Sequence, residues 1–211
     1  MKYLSLHIKN IASIEKADIY FDQEPFSGNP IFLICGETGS GKSTILDTIC
    51  LALYANTPRI NNSATVKEKE ENEVMGFKDI RQMMRRGAKE GSAELHFIGN
   101  DEQTYTALWT VRQKRTGNVE DSRSLECPAK GLYLTKKREI DTEIERCVGM
   151  KYEQFCRTSL LAQGEFTKFL SSNEKEKSDI LEKLPGTEIY SQVGIAIFEK
   201  AKAVKEACAN V

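Results

Sequence analysis

The chain has almost no excess charge, few histidines and no closely spaced cysteines, and each of these shortages excludes a class of protein. Its 30 Lys and Arg residues and 31 Asp and Glu residues give a net charge of −1, which excludes a uniformly basic nucleic-acid-binding protein but not a local basic patch. With two histidines and no Cys-x-x-Cys pair among six cysteines, the sequence does not favour a zinc site. No apolar run reaches the roughly 18 residues of a membrane-spanning helix, and the first residues do not resemble an export signal. We therefore expect a cytoplasmic protein without a membrane partner, whose cysteines are reduced and fill the core.

The apolar content is sufficient for one sizeable domain with an extension. Of the 211 residues, 40% are hydrophobic and 29% are charged. Near the start, Leu6 and Ile8 alternate with polar residues, and a second alternation ends at Phe21. Because residues 10–13 have the composition of a turn, this pattern predicts an antiparallel pair of strands over residues 3–21.

Two predicted elements flank a glycine-rich turn. The continuous apolar run over residues 31–35 predicts a strand buried on both faces, and the spacing of apolar residues predicts a helix over residues 44–55. The turn between them, Gly36-Glu37-Thr38-Gly39-Ser40-Gly41-Lys42-Ser43-Thr44, fits the G-x-x-x-x-G-K-[ST] pattern of a phosphate-binding loop, the P-loop. A glycine-rich turn without a nucleotide is the alternative, and the strand, the lysine and the helix together argue against it.

The residue types at these positions suit ATP with Mg²⁺. Glycines allow backbone N–H groups to turn inward around the phosphates, and the N-terminus of the following helix adds the positive end of its dipole. We expect Lys42 to bind the β- and γ-phosphates, the Ser43 hydroxyl to bind Mg²⁺, and Thr44 to donate to the α-phosphate. A P-loop alone does not name the reaction, because kinases, GTPases and mechanical ATPases share it.

In the middle of the chain, the pattern of apolar and polar residues predicts strands and loops. Alternation on both sides of a turn at residues 99–101 predicts a hairpin between residues 93 and 111. Residues 56–73 predict a mobile polar insertion, residues 116–128 predict a loop, and residues 131–135 predict a short strand.

From about residue 139 the chain predicts helices. Ser171 and Glu174 have the spacing of a capping box that opens a helix, and Pro185-Gly186 ends it. A last amphipathic helix begins at about Thr187. It is either the start of a truncated coiled coil or a helix packed on its own domain.

The stretch Phe155-Cys156-Arg157-Thr158-Ser159-Leu160-Leu161-Ala162-Gln163-Gly164-Glu165-Phe166 resembles the Q-loop of SbcC-type DNA-repair ATPases. The resemblance covers most of the chain in the right order. It includes residues 6–11, Leu53-Tyr54 to Thr57-Pro58-Arg59, Gly87-Ala88, and residues 167–170, 180–184 and 186–190. Gln163 lies far downstream of Lys42, which is typical of the SbcC, SMC and RecF branch and not of transporter-type ATPases.

The resemblance implies that Lys42 and Gln163 are the catalytic residues. Gln163 would bind Mg²⁺ together with Ser43 and would position the attacking water. From the residues alone, a surface glutamine near a turn is the preferred interpretation of Gln163.

Further nucleotide contacts are also implied by the resemblance. Met84, Arg85 and Arg86 match a segment that contacts the nucleotide in this family, and Asn10 lies in a turn near it. Related archaeal proteins carry a phosphate-facing arginine where this chain has Ala12, so that contact is absent or supplied elsewhere.

The implied fold is an α/β, ABC-type half-domain of a P-loop NTPase. It has a mixed β-sheet around the P-loop helix, antiparallel hairpins, and a helical C-terminal part that leads into a coiled coil. Residues 1–170 would form the N-terminal ATPase lobe and residues 171–211 the helical root of the coiled coil. Neither an apolar strand ending in Asp-Glu nor a Ser-Gly-Gly-type signature follows Gln163. We therefore expect this chain alone to bind ATP but to hydrolyse it very slowly.

The implied function is that of the ATPase subunit of a nuclease complex that repairs DNA double-strand breaks. Its implied partners are the C-terminal ATPase lobe of the same protein, an SbcD-like nuclease, a second copy in an ATP-dependent head dimer, and double-stranded DNA in the nucleoid. The alternative is an SMC- or RecF-like chromosome-maintenance ATPase. A small-molecule kinase or transporter ATPase fits less well, because Gln163 comes so late.

Three basic clusters are candidates for contact with DNA phosphates, and a solvated surface is the alternative for each. They are Arg81/Arg85/Arg86/Lys89, Arg112/Lys114/Arg115 and Lys136/Lys137/Arg138.

Overall fold

The computed structural model describes residues 1–27, 33–61, 79–158 and 188–209. Contacts divide the chain into a unit spanning Met1–Tyr152 and a unit spanning Glu153–Val211. The predicted boundary at residue 170 falls outside the described residues, so the division into residues 1–170 and 171–211 stays a prediction.

A six-stranded sheet is the frame of the first unit. Its strands are β1 (Lys2–Ile11), β2 (Ile14–Tyr20), β3 (Glu90–Ile98), β4 (Thr104–Gln113), β5 (Val119–Cys127) and β6 (Leu132–Leu134). They are ordered β2-β1-β3-β4-β5-β6, and every neighbouring pair is antiparallel. The predicted strand pair, hairpin and short strand are confirmed. The expected mixed sheet is wrong for the described residues, because every pair of neighbouring strands is antiparallel and residues 33–35 do not join the sheet.

The described helices belong partly to the first unit and partly to the second. They are α1 (Lys42–Tyr54), α2 (Pro58–Asn61), α3 (Lys137–Val148), α4 (Tyr152–Thr158) and α5 (Glu188–Ala209), with 3-10 turns at Ile80–Met83 and Pro128–Lys130. The predicted helix after the P-loop is confirmed as α1, which contacts β1, β3 and β4. Helix α3 contacts α1 and β5.

The core lies between α1 and one face of the sheet. Leu95 and Phe97 of β3, Trp109 of β4, and Leu51 and Leu53 of α1 are all 0% exposed. Burial of each large apolar side chain stabilises the fold by roughly 1.5–3 kcal/mol. This packing fixes α1 against the sheet and therefore fixes the end of the P-loop that leads into α1.

Residues 116–128 are not the predicted loop, because β5 occupies most of them and pairs with β4 along its length. Only Val119, Leu125 and Cys127 of this strand are buried, and its remaining residues are mostly polar. The strand is stabilised by hydrogen bonds to β4 and by these three side chains rather than by local propensity.

The strand predicted over residues 31–35 is absent from its described part. Residues 33–35 have no strand pairing, Leu33 is 85% exposed and Cys35 is exposed. A strand buried on both faces needs neighbouring strands and a layer over each face. The described residues place no strand against residues 33–35, and the Leu33 side chain stays uncovered.

In the second unit, the predicted last helix is confirmed as α5, and its role in a coiled coil stays a prediction. Its side chains Val193, Ile195, Ile197 and Phe198 are between 51% and 69% exposed. The helix predicted from Ser171 lies outside the described residues, as does most of the predicted polar insertion. No described helix is long and apolar enough to cross a membrane.

Candidate nucleotide-binding site

The P-loop connects the uncovered segment to α1, and residues 36–40 are exposed. Gly39 and Gly41 have φ angles of 87° and 99°, in the left-handed region that glycine adopts without a steric penalty. Gly41 is the N-cap of α1, and its carbonyl accepts the Ile45 N–H at 3.1 Å. A β-carbon at Gly41 would lie 3.2 Å from Ile14 Cγ1, so the β1–β2 turn closes one side of the loop.

Lys42 lies in the first turn of α1, and its ammonium is directed back over the loop. Its Nζ donates to the carbonyls of Gly36 at 2.7 Å and Glu37 at 2.6 Å. Ser43 is exposed beside it, and the first turn of α1 contains no acidic side chain that would compete with an anion. The ammonium therefore lies over the loop, and the N–H groups of the first turn of α1 lie at the end of the loop.

Two segments that are distant in sequence join the β1–β2 turn. Met84 forms an isolated bridge with β1, and the Arg85 N–H donates to the Asn10 carbonyl at 2.9 Å. The Arg85 guanidinium donates through Nη1 to the Ser13 carbonyl at 2.7 Å. A β-carbon at Gly41 would lie 3.3 Å from Ser13 Oγ. The structure therefore brings the predicted Asn10, Met84 and Arg85 next to the helix end of the P-loop.

The side chain of Asn10 joins the turn to β3. Its Nδ2 donates to the Glu90 carbonyl at 2.9 Å, and its φ of 50° lies in the left-handed region that asparagine tolerates. Its carbonyl accepts from Arg85, so the residue has a clear role in shaping the turn. The neighbouring Arg86 is exposed and forms no ion pair with the described residues.

The start of α1 is contacted by residues that follow the helix, and the sequence predicted no role in the site for any of them. Arg59 contacts Asp47 and Thr44 of α1, and Thr57 lies beside Asp47. Arg59 Nη2 lies 2.7 Å from Asp47 Oδ2 and donates to Thr44 Oγ1 at 3.3 Å. Burial raises the pKa of the Asp47 carboxyl, while the Arg59 charge and hydrogen bonds from Thr57 and Arg59 oppose that rise. The sequence did contain one sign of this contact, because Asp47 is an acidic residue among the apolar residues of the predicted helix. No nearby residue pattern, however, indicates that Arg59 is its partner.

The predicted Mg²⁺ ligands are only partly described. Ser43 is exposed at the mouth of the loop, whereas Gln163 lies outside the described residues. Within the described ranges, no group of His, Cys, Asp and Glu is arranged to hold a metal ion.

Several cations of the three basic clusters are paired with acids. The pairs are Arg81–Asp79, Arg85–Glu15, Arg112–Glu90, Lys114–Glu120 and Lys136–Glu139. In the part of the chain that the structure describes, the remaining cations have no ion pair: Arg86, Lys89, Arg115, Lys137 and Arg138. Their charge is therefore the more available for an anionic partner.

The glycine-rich turn that leads into α1 has the sequence pattern of a phosphate-binding loop. Residues 5–207 match the family described as AAA domain, and the chain belongs to that family.

Relatives among characterised proteins confirm the resemblance to SbcC-type ATPases. The chain is 38% identical to the SbcC subunit of nuclease SbcCD from Pseudomonas aeruginosa, over 98% of its own length and 18% of that protein. It is 37% identical to the SbcC subunit of nuclease SbcCD from Rhodobacter capsulatus, over 97% of its own length and 17% of that protein. The chain thus spans less than a fifth of these relatives. A solved structure of the recombination mediator protein RecF with ATP aligns with a TM-score of 0.40 at 13% identity, covering 66% of this chain and 29% of that chain.

Proposed function

We propose that this chain is the ATP-binding N-terminal lobe of the ATPase subunit of an SbcCD-like DNA double-strand-break repair complex. In this proposal, ATP-driven engagement of two heads controls DNA access and cleavage by the partner nuclease. The observation that carries the proposal is the combination of the P-loop geometry with 38% identity, over 98% of the chain, to the SbcC subunit of a nuclease.

The residues at the mouth of the P-loop fit MgATP. The N–H groups of the first turn of α1 and the positive end of its dipole favour the phosphates. Lys42 would exchange the neutral carbonyls of Gly36 and Glu37 for charged phosphate oxygens, which are stronger acceptors. Ser43 and Gln163 would hold Mg²⁺, which neutralises the charge of the phosphates.

In this proposal, Arg85 supplies the arginine that the resemblance expects at Ala12. The Arg85 guanidinium donates a hydrogen bond to the carbonyl of Ser13, the residue that follows Ala12. It also lies 3.7 Å from the carboxylate of Glu15, whose side chain is 79% exposed. An exposed ion pair of that kind is weak. A phosphate oxygen would therefore replace these partners readily, with Met84 and Arg86 on either side.

The segment that contains Leu33 is the proposed contact with the C-terminal ATPase lobe. It lies in an apolar depression lined also by Phe21, Phe26 and Ile45. Strands of a second lobe placed against it would bury Leu33 and would hydrogen-bond to its backbone. The exposed apolar side chains of α5 are compatible with the base of a coiled coil that joins the two lobes.

Arg86, Lys89 and Arg115 are the described residues that we propose for contact with double-stranded DNA. The Lys89 carbonyl accepts the Gln113 N–H at 2.8 Å, which places the turn containing Arg115 beside Lys89. Contacts of these residues with phosphates would position the duplex without reading its bases.

Calorimetric titration of the intact protein with MgATP tests the nucleotide site. Lys42→Ala should abolish binding, because no other described side chain places an ammonium over the loop. Lys200→Ala, on α5, is the control and should bind as the wild type does. Equal affinity of the wild type and Lys42→Ala would refute the site.

Hydrolysis and the partner are tested separately. The purified 211-residue chain should hydrolyse ATP very slowly, and vigorous turnover would contradict the proposed split site. Co-purification of the intact protein with a nuclease, together with ATP-dependent DNA cleavage, is expected. ATP-dependent DNA holding without any nuclease would favour the SMC- or RecF-like alternative.

Charge reversal tests the proposed DNA contacts. A variant with Arg86, Lys89 and Arg115 all changed to Glu should bind duplex DNA more weakly and with a smaller salt dependence, by about one in slope per lost contact. Arg112→Glu is the comparison, because Arg112 is already paired with Glu90. A larger effect at Arg112 than in the triple variant would contradict the assignment.

A further inference from the structure

The segment after α1 returns to the first turn of that helix. Ala55 ends α1 in the left-handed conformation, with φ of 48°, and turns the chain so that Thr57 and Arg59 face the helix again. Arg59 Nη2 thereby donates to Thr44 Oγ1 at 3.3 Å, across 15 positions of sequence. Thr44 is 2% exposed and lies two positions after Lys42. The contact therefore reaches a buried side chain directly after the P-loop lysine and serine.

Asp47 holds the Arg59 guanidinium in this place. Arg59 Nη2 lies 2.7 Å from Asp47 Oδ2, and the side chains of Asp47 and Arg59 are 8% and 45% exposed. The contact is an ion pair between the guanidinium and the buried carboxylate. The Arg59 N–H also donates to Thr57 Oγ1 at 3.2 Å. Because a buried carboxylate needs a counter-charge, the guanidinium is confined beside Thr44.

We propose that Arg59 is a positioning residue of the nucleotide site and that it acts through Thr44. A hydroxyl has one proton to donate and two lone pairs to accept with. When Arg59 donates to a lone pair of Thr44 Oγ1, the Thr44 proton stays available for an anionic oxygen. This inference rests on the proposed function and on the prediction from the sequence that Thr44 donates to the α-phosphate.

A purely structural role of Arg59 makes a different prediction. If Arg59 only neutralises Asp47, its loss lowers the melting temperature whatever residue occupies position 44. If Arg59 orients the Thr44 hydroxyl, its loss weakens nucleotide binding, and that effect disappears once the hydroxyl is removed. The two roles are therefore separable by combining substitutions at Arg59 and Thr44.

The experiment is calorimetric titration of the intact protein with MgATP and with MgADP, together with the melting temperature of the nucleotide-free protein. Arg59→Gln should weaken both nucleotides by the same factor, about three- to tenfold for one hydrogen bond, because both contain the α-phosphate. Introduced into a Thr44→Val background, Arg59→Gln should weaken binding no further.

Arg59→Lys is the second variant. It keeps the positive charge beside Asp47, and therefore the melting temperature, but loses the planar guanidinium, so binding should weaken while the fold stays stable. Three results would overturn the proposal. Arg59→Gln could lose as much affinity with Val at position 44 as with Thr, or lose more affinity for ATP than for ADP. The third is unchanged nucleotide binding by Arg59→Lys. Failure of the wild type to bind MgATP, or normal binding by Lys42→Ala, would instead refute the proposed nucleotide site.

Discussion

Replacing Gly41 with alanine should destabilise the first unit more than the same change at Gly39. Both glycines are left-handed, with φ of 99° and 87°, and that conformation costs alanine about 1–2 kcal/mol. At Gly41 the new methyl group would also lie 3.2 Å from Ile14 Cγ1 and 3.3 Å from Ser13 Oγ, whereas nothing lies within 4 Å at Gly39. This crowding adds about 1 kcal/mol. We therefore expect a loss of about 2–3 kcal/mol for Gly41→Ala and about 1–2 kcal/mol for Gly39→Ala.

Urea unfolding followed by tryptophan fluorescence measures this difference. Trp109 is the one tryptophan of the sequence and is 0% exposed, so its emission moves to longer wavelength when the first unit unfolds. Gly39→Ala is the matched control, since it carries the conformational cost without the contact. Equal losses at Gly39 and Gly41 would refute the packing of the β1–β2 turn on the P-loop. No loss at either position would refute the left-handed conformation of both.

Tyr105→Phe removes a buried hydroxyl that donates to Asp101 at 2.9 Å, and it should lower the free energy of unfolding by about 1–2 kcal/mol in urea. Tyr133→Phe, at a side chain that is 67% exposed, is the near-neutral control, and an equal loss there would contradict the reasoning. Although burial opposes it, hydrogen bonds hold the pKa of Asp101 well below its usual range. The stabilisation from Asp101 is therefore complete above about pH 4 and is lost as the pH falls further, so the urea midpoint should fall on acidification, and should fall less in Asp101→Asn. Burial raises the pKa of the Cys147 thiol to about 12, so iodoacetamide at about pH 8 should label exposed Cys35 in the native protein and spare Cys147. Mass spectrometry checks this, and preferential labelling of Cys147 would contradict its burial.

The position of the P-loop could be predicted from the sequence because its constraints are local. Glycines that permit left-handed angles, the lysine after them and the helical spacing of residues 44–55 lie in one continuous stretch. The β3–β4 hairpin was predictable for the same reason, since its strands alternate strongly and are adjacent in sequence.

The two errors in the fold have one physical cause, which is that a strand is stabilised by its neighbours. Strand β5 forms from a mostly polar stretch because β4 lies beside it. Residues 33–35, the described part of the strongly apolar segment, do not form a strand, because none of the described residues pairs with them.

By itself, then, the sequence predicted a phosphate-binding loop and the lysine whose ammonium would reach the phosphates. Only the tertiary structure decided what surrounds that loop. Antiparallel pairing of β1 with β3 brings Asn10 to Arg85, and the turn after α1 brings Arg59 to Asp47 and Thr44. These contacts form between chain segments that come together only when the sheet and α1 pack. A local sequence pattern therefore does not predict them.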